Sequence, residues 1–92
     1  MKIEFSHKAY SRLEEIAEYI YEQSKSKKIT RTYLIKFRHY IIQTLTHFPH
    51  AGRPSEELFS GTRKLVYQGY SIIYRVFEER VEILTIYREN LP

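Results

Sequence analysis

The residues able to do chemistry in this sequence are mostly basic or phenolic. Arg53, Arg63, Lys64, Arg75, Tyr87 and Arg88 fall in its second half, within or beside segments where apolar and polar residues alternate. Arginine grips a phosphate or carboxylate through two parallel N–H bonds, and tyrosine stacks on a base or donates a proton. Metal-free RNA cleavage uses the substrate's own 2′-OH, with basic side chains stabilising the phosphorane, so this set is compatible with a nuclease. The opposing reading keeps Tyr67, Tyr70 and Tyr74 as core or rim residues of a sheet and the arginines as solubilising charges. Both readings stay open at the level of residue types.

Other chemistries are harder to build. His47 and His50 lie three apart in LTHFPHAGRP (Leu45–Pro54), but a metal site needs further ligands in fixed geometry. His7 and His39 are not brought near them by any spacing, so neither a metal nor a cofactor is expected. The chain has no Asp, which removes a Ser-His-Asp arrangement, and Glu56, Glu57, Glu78 and Glu79 occupy loop-like or turn-like stretches. Gly52, Gly61 and Gly69 read as turn residues and form no phosphate-binding loop. With no Cys there is neither a disulfide framework nor thiolate chemistry.

What must position these groups is legible from the periodicity. Lys2–Phe5 alternates and suggests a short edge strand. Ser6 is an N-cap for a helix whose stripe is Ala9, Tyr10, Leu13, Ile16, Ala17, Ile20 and Tyr21. After a polar turn at Ser24–Lys28, Ile29, Tyr33, Phe37, Ile41, Leu45 and Phe48 define a second helix that Pro49 ends. Two amphipathic helices on a short turn pair as an antiparallel hairpin. Pro54-Ser55-Glu56-Glu57 reads as an exposed loop.

Beyond Gly61 the period becomes strand-like, in Arg63–Gln68, Tyr70–Phe77 and Val81–Arg88. The expectation is one α+β domain over residues 1–92: a helix hairpin on a three- to four-stranded antiparallel sheet, with Lys2–Phe5 as the fourth strand. In the middle strand Tyr70, Ile72, Tyr74 and Val76 suit the helices, leaving Ser71 and Arg75 toward solvent. In the last strand neither alternating set is clearly polar.

Apolar residues at 42% and charged residues at 28% suit a soluble globular chain. No apolar run approaches the roughly 20 residues that span a bilayer. Charges interrupt the N-terminal stretch where a signal peptide would be apolar, so a cytoplasmic location is expected. The formal charge of +4 is uneven: residues 1–50 carry nine Lys/Arg against five Glu, and the rest balance. Lys25, Lys27, Lys28, Arg31, Lys36 and Arg38 share the acid-free stretch Gln23–Tyr40, which attracts a polyanion or an acidic protein unless it is merely a solvated helix face.

The ordered segments LTHFPHAGRP, TRKLVYQGYSIIYRV and VEILTIYREN resemble the RelE/ParE superfamily of bacterial toxins. That family has a helix-ending "L…P..GR" segment, an Arg-led strand, a "Y.I.Y" strand and a final "VEIL"-type strand. The resemblance spans almost the whole chain. It implies the toxin of a type II toxin–antitoxin module, neutralised by an antitoxin whose apolar helix and extended tail cover the hairpin and the sheet edge.

RelE-like members are ribosome-dependent mRNA endonucleases, whereas ParE-like members act on DNA gyrase. Where RelE-like sequences place a basic residue after the Gly-Tyr opening the "Y.I.Y" strand, this chain has Ser71. RelE-type chains also continue past the last strand with basic residues and a catalytic Tyr, whereas Glu89-Asn90-Leu91-Pro92 follows here. The resemblance therefore leans to ParE, with Arg53, Arg63, Arg75 and Arg88 as target-binding candidates. The RelE-like alternative would cut mRNA on the ribosome with Arg63, Lys64, Tyr87 and Arg88. A third alternative is an inactive member that only binds its antitoxin or DNA.

Overall fold

Two serines start the two helices. The Ser6 hydroxyl accepts from the Ala9 N–H at 3.0 Å and opens α1 (His7–Ser24). Ser26 accepts from the Ile29 N–H at 3.1 Å and opens α2 (Lys27–His47). Each hydroxyl satisfies a backbone donor that the first helical turn leaves unpaired. Only Lys25 and Ser26 separate the helices, with Lys25 in the left-handed region (φ 53°), so the chain reverses into an antiparallel hairpin. At the far end the Phe48 N–H closes on Thr44 at 2.7 Å, and Pro49 has no N–H to carry the helix further. The computed structural model describes residues 1–89, so the last three residues of the expected Glu89–Pro92 stretch lie outside the described residues.

The strands are β1 (Lys2–Phe5), β2 (Arg53–Pro54), β3 (Arg63–Tyr67), β4 (Tyr70–Val76) and β5 (Arg80–Arg88), ordered β1-β5-β4-β3-β2. The α+β hairpin-on-sheet expectation holds, with two corrections to the sheet. It has five strands, and it is mixed, because β1 runs parallel to β5 while the other pairs are antiparallel. A parallel neighbour needs a long crossover, and everything between β1 and β5 supplies one. The extra strand, β2, lies where the sequence read as loop. Pro54 has no N–H to give, and an edge strand is where that is tolerated.

Ser55 corrects the same stretch. It is fully buried: its N–H donates to the Thr62 carbonyl at 2.9 Å, and the two hydroxyls meet at 2.8 Å. The loop between β2 and β3 is thereby closed at its neck.

Ser71 is a further correction: it is fully buried instead of facing solvent, as is Ile73 on the same face. In register, Ser71 stands between Val66 and Tyr87, and Ile73 between Lys64 and Thr85. Long neighbours on the helix-free face roof over the short serine.

The ambiguity of β5 has a cause in the sheet. Ile73 pairs with Thr85 but Tyr74 pairs with Ile83, so Leu84 is an extra, bulged residue. The bulge shifts the alternation by one, turning Val81, Ile83 and Ile86 all toward the helices, where they are buried. The Leu84 carbonyl accepts from the Ser6 hydroxyl at 2.7 Å, which ties the start of α1 to the bulge.

Between the layers, Ala9, Leu13 and Ile16 of α1 and Phe37, Ile41 and Leu45 of α2 meet Leu65, Ile72, Tyr74, Val81, Ile83 and Ile86. Not all of the expected stripe is used. Ile29 is 55% exposed and Phe48 68% exposed, at opposite ends of α2.

Candidate functional site

The six basic and phenolic candidates do not gather at one point. Arg63 Nη1 donates to the Gly52 carbonyl at 2.7 Å and more weakly to that of His50 at 3.4 Å. Arg75 Nη2 donates to the Ser60 carbonyl at 3.0 Å, and Arg53 faces Glu57 at 3.4 Å in solvent. Arg63 fastens the helix-to-sheet junction, and Arg75 and Arg53 brace the loop between β2 and β3. The junction is tight: a Cβ on Gly52 would lie 2.7 Å from the Lys64 carbonyl oxygen, and the Gly52 N–H donates to the buried Tyr74 hydroxyl at 2.8 Å. Burial pushes the Tyr74 phenol up from its ordinary pKa, against the pull of that Gly52 bond.

Lys64 crosses the helix-free face to Glu89 at 2.6 Å, with both side chains largely covered. Lys64 is first among the groups that hold the Glu89 carboxyl below its ordinary value. The Ser71 hydroxyl also favours that carboxylate, but it stays buried without reaching hydrogen-bond geometry. Tyr87 flanks Ser71 on this face, whereas Arg88, opposite Tyr70, belongs to the helix side. His47 turns Nδ1 to the Gln43 carbonyl of its own helix at 2.9 Å.

The basic run from Lys25 to Arg38 is likewise divided. Lys25 pairs with Glu22 at 3.0 Å, and Lys27 and Arg31 share a groove with Glu18 and Glu22 of α1. Arg38 lies over the Phe5 ring at 5.6 Å. Lys28 and Lys36 remain, and both rim the groove between α2 and β3.

That groove is built of tyrosines. Gln68 (φ 49°) and Gly69 (φ 83°) make the two-residue turn between β3 and β4, the turn whose twist suits a hairpin. It sets Tyr67 directly opposite Tyr70. Phe37 packs edge-on against both rings, at 5.6 and 5.5 Å, and Tyr33 stacks on Phe37 at 6.1 Å. Tyr40 stacks face to face on Tyr67 at 4.0 Å. A hollow of about 560 Å³ lies against Ile29, Tyr33 and Tyr67, and a second of about 390 Å³ continues past Lys36 to Ile35 and Tyr40. β2 pairs only with Arg63 and Lys64, so the edge of β3 beside the groove is open at Val66, itself 50% exposed. A third cleft, about 530 Å³, lies round the turn between α1 and the ends of β4 and β5, with Arg12, Tyr19 and Arg88 at its wall. Burial raises the Tyr33 and Tyr70 phenols above their ordinary pKa, so both are neutral donors at physiological pH.

The tyrosine end was not recognised as a surface from the sequence. Its signal was present: Tyr33 and Tyr40 recur seven residues apart on one helix, and Tyr67 and Tyr70 bracket a Gln-Gly turn.

A helix hairpin on one face of a five-stranded sheet, closed by a Gly-Arg junction, is the two-layer α+β domain of the RelE/ParE type. The family model described as the ParE toxin of the type II toxin-antitoxin system, parDE, matches residues 3–90, and the chain belongs to that family. Among solved structures, a chain of the chromosomal ParDE TA system from P. aeruginosa is 24% identical, with a TM-score of 0.81 over 98% of this chain and 97% of that one. A chain of the toxin-antitoxin complex RelBE2 from Mycobacterium tuberculosis is 20% identical, with a TM-score of 0.70 over 96% of each. Both likenesses are of fold. No curated protein matches the chain. Among the described residues, no helix is long and apolar enough to cross a membrane.

Proposed function

We propose that this ParE-type toxin inhibits DNA gyrase, without cleaving RNA, and that a cognate antitoxin neutralises it. One observation carries the choice of target: on the helix-free face, Ser71 is buried where the nuclease branch has a basic residue, and Lys64 beside it is paired with Glu89. Arg63 and Arg75 are committed to loop carbonyls, so a phosphate would find few free cations there. Acid–base cleavage needs a proton donor and acceptor within reach of one reacting atom, and the six candidates are dispersed. On this reading the exposed arginines, Arg53 and Arg88, contact the target.

The antitoxin reading rests on the tyrosine groove. An apolar floor beside an open strand edge accepts an amphipathic helix and an added strand together. The test is a supercoiling assay with purified gyrase and increasing toxin. Inhibition with a trapped cleavage complex is expected, relieved by the protein encoded in the adjacent reading frame. No inhibition at saturating toxin refutes the gyrase reading. Message cut during growth arrest, seen by primer extension, would establish the mRNA alternative, and expression without arrest would point to an inactive member.

A further inference from the structure

The two helices carry their charge differently. α1 mixes signs: Lys8 and Arg12 stand among Glu14, Glu15, Glu18 and Glu22, and Arg12 pairs with Glu15 at 2.9 Å. Mixed signs at this spacing support a solvated helix from within. α2 has no acidic residue, yet it carries Lys27, Lys28, Arg31, Lys36 and Arg38. Lys27 and Lys28 stand in its first turn, where the helix dipole disfavours cations. These charges therefore do not stabilise the helix that bears them. Among the described residues, none of them lies within salt-bridge distance of a carboxylate.

Phe37, Ile41 and Leu45 take the buried side of α2. At 3.6 residues per turn, Lys28, Arg31, Lys36 and Arg38 fall on the outward half, and all four are exposed. They span about 15 Å of helix axis. Toward β3 their neighbours are uncharged, Thr32, Gln43, Tyr67 and Gln68. Toward α1, Glu18 and Glu22 border Lys27 and Arg31 and bound the basic face. A DNA duplex presents a charge every ~1.7 Å of its axis, so a row of cations meets phosphates in any register. An acidic peptide offers carboxylates only where its sequence places them. A membrane would need the apolar side of α2, which lies in the core. A single strand needs open aromatic rings to stack on, and Tyr33 and Tyr40 are stacked on Phe37 and Tyr67 instead. We propose that the outward face of α2 holds the backbone of duplex DNA through Lys28, Arg31, Lys36 and Arg38, without reading bases. The choice of DNA over duplex RNA rests on the gyrase reading, since gyrase brings DNA to the toxin.

The test is a fluorescence anisotropy titration of the full chain, without gyrase, against a labelled DNA duplex at several salt concentrations. Four phosphate contacts give log K against log salt a slope of about −3.6, so binding should weaken roughly 100-fold between about 50 and 200 mM salt. The combined variant Lys28→Gln/Arg31→Gln/Lys36→Gln should flatten the slope to about −0.9, with a melting temperature at or slightly above the parent's. Lys8→Gln, which removes an exposed cation of α1, should leave the slope as in the parent. No saturable binding at about 50 mM salt, an unchanged slope in the combined variant, or an equal loss in Lys8→Gln would each overturn the proposal. So would tighter binding of an RNA duplex of the same sequence, of polyglutamate or of phosphatidylserine vesicles. Because gyrase is absent from the titration, a failure here leaves the supercoiling assay to judge the gyrase reading on its own.

Discussion

The basic residues at the two ends of the sheet meet opposite fates. At the junction end, where β3 and β5 begin and β4 finishes, Arg63 and Arg75 close on the carbonyls of Gly52 and Ser60. At the turn end, where β3 meets β4 and β5 finishes, Lys28, Lys36 and Arg88 rim open hollows floored by tyrosine and isoleucine. Both ends carry Arg and Lys, so the count of cations does not separate them. What separates them is whether loop carbonyls lie within reach of the cations. The junction uses its donors to fix backbone; at the turn end, among the described residues, Lys28, Lys36 and Arg88 have no salt-bridge partner.

The sharpest way to break this contrast is at Gly52. An added Cβ would meet the Lys64 carbonyl oxygen at 2.7 Å and its carbon at 2.8 Å, both backbone, and Tyr74 Cε1 at 2.9 Å. β3 cannot give way without disturbing its pairing to β4. Gly52→Ala is therefore expected to destabilise the fold by about 3 kcal/mol. For a domain of this size that lowers the melting temperature by on the order of 10–20 °C. A melting temperature within a degree or two of the parent would mean the junction is not the rigid end.

Arg63 sharpens the same comparison with a smaller effect. Arg63→Met keeps the aliphatic stem and removes the donors to Gly52 and His50. The Gly52 carbonyl loses a charge-assisted partner, for an expected loss of about 2 kcal/mol in denaturant unfolding. If Arg63 fastens the junction, inhibition of the target at equal folded concentration stays as in the parent. Full stability with lost inhibition would instead make Arg63 a contact residue, as the sequence reading had it.

These residues also show what a sequence discloses. Both helices, the Ser6 cap of the first and the three long strands followed from periodicity and local capping, whereas Ser26 was read as part of a turn and caps the second helix. β2 was missed, since two residues at Arg53–Pro54 have no period and Pro ordinarily argues against a strand. The facing of β5 was illegible because the Leu84 bulge shifts its phase midway, and a bulge is a property of a pair of strands. The site residues divided likewise. Sequence supplied the arginines and tyrosines, but not the carbonyls of Gly52 and Ser60 that occupy two of them, nor the Glu89 that occupies Lys64. Charge along a chain counts cations; only three-dimensional pairing says which are free.

The helix-free face offers the smallest and most specific test, at Glu89. Lys64 holds the Glu89 carboxyl below its ordinary value of 4.5 in the fold. The unfolded chain therefore binds more protons than the native one between the two values, and stability falls as the solution is acidified through them. The ion pair contributes in full above the unfolded value and is lost as pH falls through the folded one. Glu89→Gln removes the titrating group at nearly constant volume. Urea midpoints of parent and variant should differ by a steady amount near neutral pH, and the gap should narrow once pH falls below about 4.5. A gap unchanged down to about pH 3 would mean that Lys64 is not held by Glu89. The cation would then be available on the face that the gyrase reading treats as closed to phosphate, and the primer-extension experiment would become the first to perform.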